Sequence, residues 1–369
     1  MNVRYSSVKS VFLLFVTNCE CQINIETPPK DTGSLLALVC WCCVVVIDSV
    51  QGQRTMSTLI DGTVVQLATN FLVMFALLGG AWLLSTPTEA KHHQWFASAN
   101  EQPSVRATEL WFLKYGVVWI LAFGVVVAFE LYAAWDAFAL LVFMLSLAAP
   151  LYLQPVLYPS LTHETNVPWF QRFSLLSNVW IAIFGFVGNY WYTHYFYSVL
   201  KAHYTMTSYD LNGVPIPMFF ATHFYFCFYH VISNCILRRI VTGFVPSMPK
   251  NMFLGLAVLC MSYTTAVMET VTIAGYKCYT FDDWHHAATV GSVFYAIYFI
   301  ISFPMFYWFT NRVQTATWFE TVVESLATSM AVLCLLDFVR VGLGQDLVVQ
   351  LIRPCKTNHS LSCFGNEVC

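Results

Sequence analysis

The stretch Pro217–Arg239 reads PMFFATHFYFCFYHVISNCILRR, and the fold turns on it. From Pro217 to Leu237 it carries no formal charge and is long enough to cross a bilayer as a helix. Its polar residues are ordered. His223, Cys227, His230 and Asn234 follow at steps of four, three and four, which stacks them on one helical face. Arg238 continues that face into the pair Arg238-Arg239, and Phe224, Tyr225, Phe226, Phe228 and Tyr229 fill the surface between. Imidazoles and an amide are costly in hydrocarbon, so this face is expected to meet protein or a cavity rather than lipid. Two roles fit it: hydrogen-bonded glue between helices, or the wall of an active site.

The rest of the 369-residue chain has the same character: 58% of its residues are hydrophobic and 10% charged, where a soluble domain carries roughly a quarter charged. The expected fold is all-α, a polytopic transmembrane helical bundle of seven core helices plus one or two N-terminal spans, with the lipid bilayer as its medium. A formal net charge of −3 argues against a nucleic-acid binder. The 13 cysteines form neither a disulfide framework nor a zinc site. Cys227, Cys235, Cys260 and Cys334 lie inside apolar spans, where cysteine acts as a small hydrophobe. Cys19/Cys21 and Cys42/Cys43 lack the second pair a metal needs. Cys355, Cys363 and Cys369 are candidates for pairing if the tail is lumenal. Walker, GxGxxG and HExxH patterns do not occur, so neither nucleotide nor metal cofactor is expected.

Residues 1–94 form an N-terminal extension. Val11–Val16 faintly resembles a signal sequence, Thr32–Ile47 is a short uncharged run, and Val64–Leu84 is the stronger helix. Glu89–Arg106 is polar and is expected to be a linker or surface segment. Core spans are expected at about 111–131, 137–158, 174–200, 217–238, 252–275, 287–309 and 321–342, joined by short connections. A polar cysteine-containing tail follows at 346–369. Lys91, Arg106, Lys114, Arg172, Arg238, Arg239, Lys250 and Arg312 fall in alternate connections, which places that side in the cytosol.

Polar residues inside the spans mark candidate sites. The third core span carries Asn178, Asn189 and Thr193 on one face and Tyr190 and His194 on another. The fifth carries Glu269, with Ser262, Thr265 and Thr272 on its face. Desolvation at that depth disfavours the anion, which makes Glu269 a candidate proton donor. The alternative is a structural partner for Arg238, Arg239 or a histidine. Asp337 and Arg340, three apart, suit an intrahelical ion pair, and Glu320 and Glu324 suit a helix N-terminus. Asp282, Asp283, His285 and His286 are loop neighbours, a weak arrangement for a metal. Buried weak acids and bases among aromatic rings suit a proton-in, proton-out isomerisation of an apolar molecule, since aromatic faces stabilise a carbocation and exclusion of water protects it. A receptor or transporter is the competing class.

These residues resemble the cycloeucalenol cycloisomerases, or cyclopropyl sterol isomerases. The likeness is carried by VGNYWYTHYF (Val187–Phe196), FFATHFYFCFYHVISNCILRR (Phe219–Arg239), METVTI (Met268–Ile273), FYAIYFIISFPMF (Phe294–Phe306) and LLDFVRVGLG (Leu335–Gly344), with a weaker match from Trp95 through RATELWF (Arg106–Phe112). It makes residues 95–345 the transmembrane sterol isomerase domain. The resemblance implies opening of the 9β,19-cyclopropane ring of a cyclopropyl sterol, cycloeucalenol, to give the Δ8 sterol obtusifoliol. It implies no cofactor, an endoplasmic reticulum membrane, and other sterol-pathway enzymes as candidate partners. On this reading the acid and base are drawn from Glu269, His194, His223 and His230. Asn189, Tyr190, Thr193 and Asn234 orient them or hold the sterol hydroxyl, and Tyr225, Phe226, Tyr229 and Tyr295 line the cavity. A sterol Δ8–Δ7 isomerase shares this acid–base logic and remains the alternative enzyme.

Overall fold

The structure, a computed structural model, describes residues 59–89, 93–312 and 316–347. The N-terminal runs, the early cysteines and the cysteine tail lie outside these residues. Eight long helices occur among them: α1 Leu59–Leu84, α2 Pro103–Ala128, α3 Ala137–Leu157, α4 Phe173–Leu200, α5 Ile216–Gly243, α6 Met248–Ala274, α7 Trp284–Thr310 and α8 Trp318–Gly342. Seven are long and apolar enough to cross a membrane, and the chain is a multi-pass membrane protein. The eighth, α5, has the length; its polar face lowers its hydropathy below that of the others.

That composition matches its position. α5 stands in the middle, packed by α2, α3, α4, α6 and α7, while α8 closes over α4 and α7 and α1 leans on α6. The outer surface is apolar, with Leu72, Leu83, Trp308 and Phe338 open to the bilayer. Gly116 sets the α2–α5 distance: a Cβ there would run into the Phe228 ring. α4 and α7 each contain π-helical turns, Gly188–Tyr192 and Phe196–Leu200 in α4 and Ala287–Gly291 in α7. Gly291 allows these widened turns to meet, since its Cβ would stand 2.7 Å from Leu200 Cγ.

Each end of the bundle has its own tie. Where α2 begins and α5 ends, Arg238 and Glu109 form a bidentate pair at 2.7 and 3.0 Å, both side chains almost wholly buried. Arg238 also donates to Trp95 O at 3.1 Å and Asn311 Oδ1 at 3.0 Å, and Glu109 accepts from Ala97 N at 3.1 Å. Helix α2 thus starts eight residues before the expected 111, at Pro103, because Pro suits a first turn and Glu109 has a buried partner. Arg106, Arg172, Arg239, Lys250 and Arg312 lie at this same end. At the opposite end, strand β1 (Ala202–Tyr204) pairs antiparallel with β4 (Tyr279–Phe281). Between them, β2 (Asp210–Leu211) and β3 (Val214–Pro215) form a hairpin through Asn212-Gly213, both at positive φ as a two-residue turn requires. Asp337 and Arg340 pair at 2.7 Å within α8, and Thr317 with Glu320 forms a capping box at its start.

Candidate active site

Glu269 projects from α6 toward α5 and α7. It is surrounded by protein yet keeps accessible surface. The Tyr295 hydroxyl of α7 lies beside its carboxyl, and Oε2 is buried without a hydrogen-bond partner among the described residues. Tyr225 and Tyr229 of α5, Tyr298 of α7 and Tyr279 of β4 also lie within electrostatic reach of it. The rings support one another: Tyr225 and Tyr229 stack at 6.2 Å, Tyr295 and Tyr298 meet edge-on at 4.9 Å, and Tyr279 packs against Tyr204 at 5.1 Å. Trp119 of α2 backs Tyr225 at 4.7 Å. The result is one carboxyl with five tyrosines in its neighbourhood, one of them, Tyr279, from the β1–β4 pair. Thr265 and Thr272, expected on the Glu269 face, donate to Met261 O and Met268 O of their own helix. Glu269 is therefore the ionisable group of that face, and its expected alternative partner, Arg238, is held by Glu109 instead.

The three candidate histidines occupy other places, and each is buried. His230 is fully buried, donating from Nδ1 to Phe226 O at 2.8 Å and accepting at Nε2 from Ser302 Oγ at 3.0 Å. Trp180, Phe184, Phe303 and Phe306 surround its ring. His223 donates from Nε2 to Asn178 Oδ1 at 3.0 Å and stacks on Tyr152 at 4.0 Å, and its Nδ1 has no hydrogen-bond partner among the described residues. His194 accepts at Nε2 from Asn212 Nδ2 at 3.0 Å, and its Nδ1 is unpartnered among the described residues. Asn212 also donates to Tyr190 O at 2.7 Å, so the β2–β3 turn clamps the end of α4.

The remaining expected residues divide in the same way. Tyr225, Tyr229 and Tyr295 converge on Glu269. Phe226 is buried against Phe184 and Phe299. Asn234 donates to Thr310 Oγ1 at 2.8 Å, and Asn189 to Gly185 O at 2.8 Å and Thr222 Oγ1 at 2.9 Å. Thr193 is buried, and Tyr190 stacks on Phe186 at 5.7 Å. Asp283 caps the start of α7, His286 bonds Val199 O at 2.9 Å and His285 bonds Thr63 at 2.7 Å, so this run serves the helix start. Sequence reasoning missed Tyr279 and Tyr298 as neighbours of Glu269 and Glu109 as the partner of Arg238. For Tyr279 the available signal was the tyrosine cluster of YKCYTF just beyond α6.

Over 247 residues the chain is 40% identical to the cycloeucalenol cycloisomerase of Arabidopsis thaliana. The match covers 66% of this chain and 88% of the plant enzyme. The chain belongs to the cycloeucalenol cycloisomerase family. It is an isomerase, and the expectation drawn from VGNYWYTHYF and the other blocks is met. No protein-family profile and no solved structure matches it.

Proposed function

We propose that this isomerase opens the 9β,19-cyclopropane ring of a cyclopropyl sterol, cycloeucalenol, to give the Δ8 sterol obtusifoliol, with Glu269 as the acid. The observation that carries this reading is the contrast at the site. Glu269 is only half-buried, although its Oε2 is buried and unpartnered among the described residues, while His194, His223 and His230 are at most 1% exposed. An acid must touch its substrate, and among these four candidates Glu269 is the residue that keeps accessible surface.

The steps balance on that one group. The Glu269 O–H proton goes to C19, the C9–C19 bond supplies the electrons, and positive charge develops at C9. The rings of Tyr225, Tyr229, Tyr295 and Tyr298 present electron-rich faces to that charge, and their packing excludes water that would capture it. The C8–H bond then supplies the electrons of the C8=C9 double bond, and the carboxylate left on Glu269 takes the proton. Tyr295 orients the carboxyl throughout. His223 and His230 hold α5 against its neighbours, and Asn212 with His194 fixes the end of α4.

The basic end of the bundle, with Arg106, Arg172, Arg239, Lys250 and Arg312, faces the cytosol, and the membrane is that of the endoplasmic reticulum, where sterols are made. The test is an assay in microsomes fed cycloeucalenol in heavy water, with sterols analysed by gas chromatography–mass spectrometry. Obtusifoliol with one deuterium at C19 is expected. Survival of the cyclopropane in well-expressed, folded protein would remove this substrate.

A further inference from the structure

The tyrosine cluster extends past the neighbours of Glu269. Tyr276 lies just beyond the end of α6, in the turn that leads into β4, about two turns of helix farther along than Glu269. It comes within electrostatic reach of Tyr225, Tyr229 and Tyr279. The Glu269 carboxyl is not among the groups that act on it. Its ring meets that of Tyr132, which follows α2, at 6.0 Å, and its neighbour Lys277 pairs with Glu130 at 2.8 Å. These contacts tie the end of α2 to the turn after α6. Tyr225, Tyr229 and Tyr276 are surrounded by protein yet only half-buried. Their hydroxyls make no hydrogen bond among the described residues, and none is among the buried polar atoms left without a partner, so each keeps accessible surface. Accessible surface on groups that protein surrounds belongs to a cleft, and this one runs from the neighbours of Glu269 to Tyr276.

We propose that Tyr276 recognises the 3-hydroxyl of the sterol and so sets which way round the substrate lies beside Glu269. The proposal rests on the sterol substrate and the acid assigned above. Such a sterol has one polar group, at C3, and its reacting C19 stands across ring A from it. The residue that holds the hydroxyl must therefore share a cleft with the carboxyl yet stand apart from it, as Tyr276 does. A phenol both donates and accepts, which matches a hydroxyl. Glu130 and Lys277 neutralise each other, so this end of the cleft offers no net charge to an anionic headgroup. Tyr276 also stands where α2 and α6 end, at the membrane boundary, where a sterol hydroxyl sits. A tyrosine of the interfacial belt faces lipid, whereas Tyr276 is surrounded by protein and packed on Tyr132. With the hydroxyl held there, the rings point back along α5 and α6 toward Glu269. The sterol side chain then runs toward the basic end of the bundle. Tyr132 and the Glu130–Lys277 pair are positioning groups, because they hold the turn that carries Tyr276.

The experiment measures equilibrium binding of cycloeucalenol and of its 3-deoxy analogue to the full chain in lipid nanodiscs, with turnover of both followed in the same preparation. The unmodified protein should bind the 3-hydroxy sterol about 2- to 10-fold more tightly, the equivalent of one neutral hydrogen bond. Tyr276→Phe keeps the ring and its contact with Tyr132, and should bring the two affinities together while leaving kcat for the bound sterol little changed. Tyr229→Phe should keep the preference. The readout is a ratio, so a general loss of packing moves both affinities alike and does not imitate the result. Equal binding of the two sterols by the unmodified protein overturns the proposal. So does a preference that survives in Tyr276→Phe, or one that is lost in Tyr229→Phe instead, since either places the hydroxyl elsewhere. Binding is read without turnover, so an absence of ring opening counts against the reaction assigned to Glu269, while the affinity ratio still decides the role of Tyr276.

Discussion

Removing Glu109 should destabilise the bundle more than any other single carboxylate. The Glu109→Ala variant leaves the Arg238 guanidinium at a site where both partners expose 3% or less of their side chains. Arg238 keeps its bonds to Trp95 O and Asn311 Oδ1, but these are neutral acceptors and do not neutralise the charge. Ala97 N loses its acceptor as well. Breaking a buried pair from one side costs about 3–5 kcal/mol, because an uncompensated charge stays in low dielectric. At about 2–4 °C per kcal/mol, the unfolding midpoint should fall on the order of 10 °C. The assay is thermal unfolding of detergent-solubilised protein, followed by the fluorescence of Trp95 and Trp119. The double variant Glu109→Leu, Arg238→Met removes both charges, and should recover most of the loss since a well-packed apolar pair can replace a buried ion pair. A single-variant loss below about 1 kcal/mol, the value for a solvated pair, would refute the reasoning and mean that water reaches Arg238.

Three further perturbations test other parts of the account. Tyr295→Phe removes the hydroxyl beside Glu269, and if that hydroxyl bonds the carboxylate formed in the reaction, kcat should fall about 10- to 100-fold; an unchanged kcat removes Tyr295 from the machinery. Gly116→Ala drives a methyl into the Phe228 ring and should destabilise by about 1–3 kcal/mol, with partial recovery in Gly116→Ala, Phe228→Leu measured by the same unfolding assay. Asn212→Gly preserves the positive-φ turn but removes the bonds to His194 and Tyr190 O, so a loss of about 1–3 kcal/mol without a change in turn geometry is expected.

Much of the fold is legible in the sequence because hydrocarbon imposes long uncharged runs. The observed α3, Ala137–Leu157, and α4, Phe173–Leu200, lie within a residue of their expected spans, and α8 starts three residues early at its Thr317 capping box. What the sequence leaves open is the partner of each polar face. His223, Cys227, His230 and Asn234 do share a face of α5, and that face meets Asn178, Ser302, Thr310 and the Trp180 ring cluster. The adjoining aromatic face, Tyr225 and Tyr229, is the one within electrostatic reach of Glu269. Helical periodicity fixes which residues point together; only the arrangement of neighbouring helices decides what they point at. The same limit hides Glu109, which stands 129 positions from Arg238 in the chain. Local chemistry reads better: Asp337 with Arg340, and the α8 N-terminus with Glu320, depend on residues three apart.

The most direct test compares Glu269→Gln with His230→Phe and His223→Phe in microsomes supplied with cycloeucalenol, scoring deuterium at C19 of the product in heavy water. The account predicts that Glu269→Gln is folded and makes no labelled obtusifoliol, while any histidine variant that folds retains turnover. Labelled product from Glu269→Gln at the unmodified rate, or loss of turnover confined to a folded histidine variant, would contradict it.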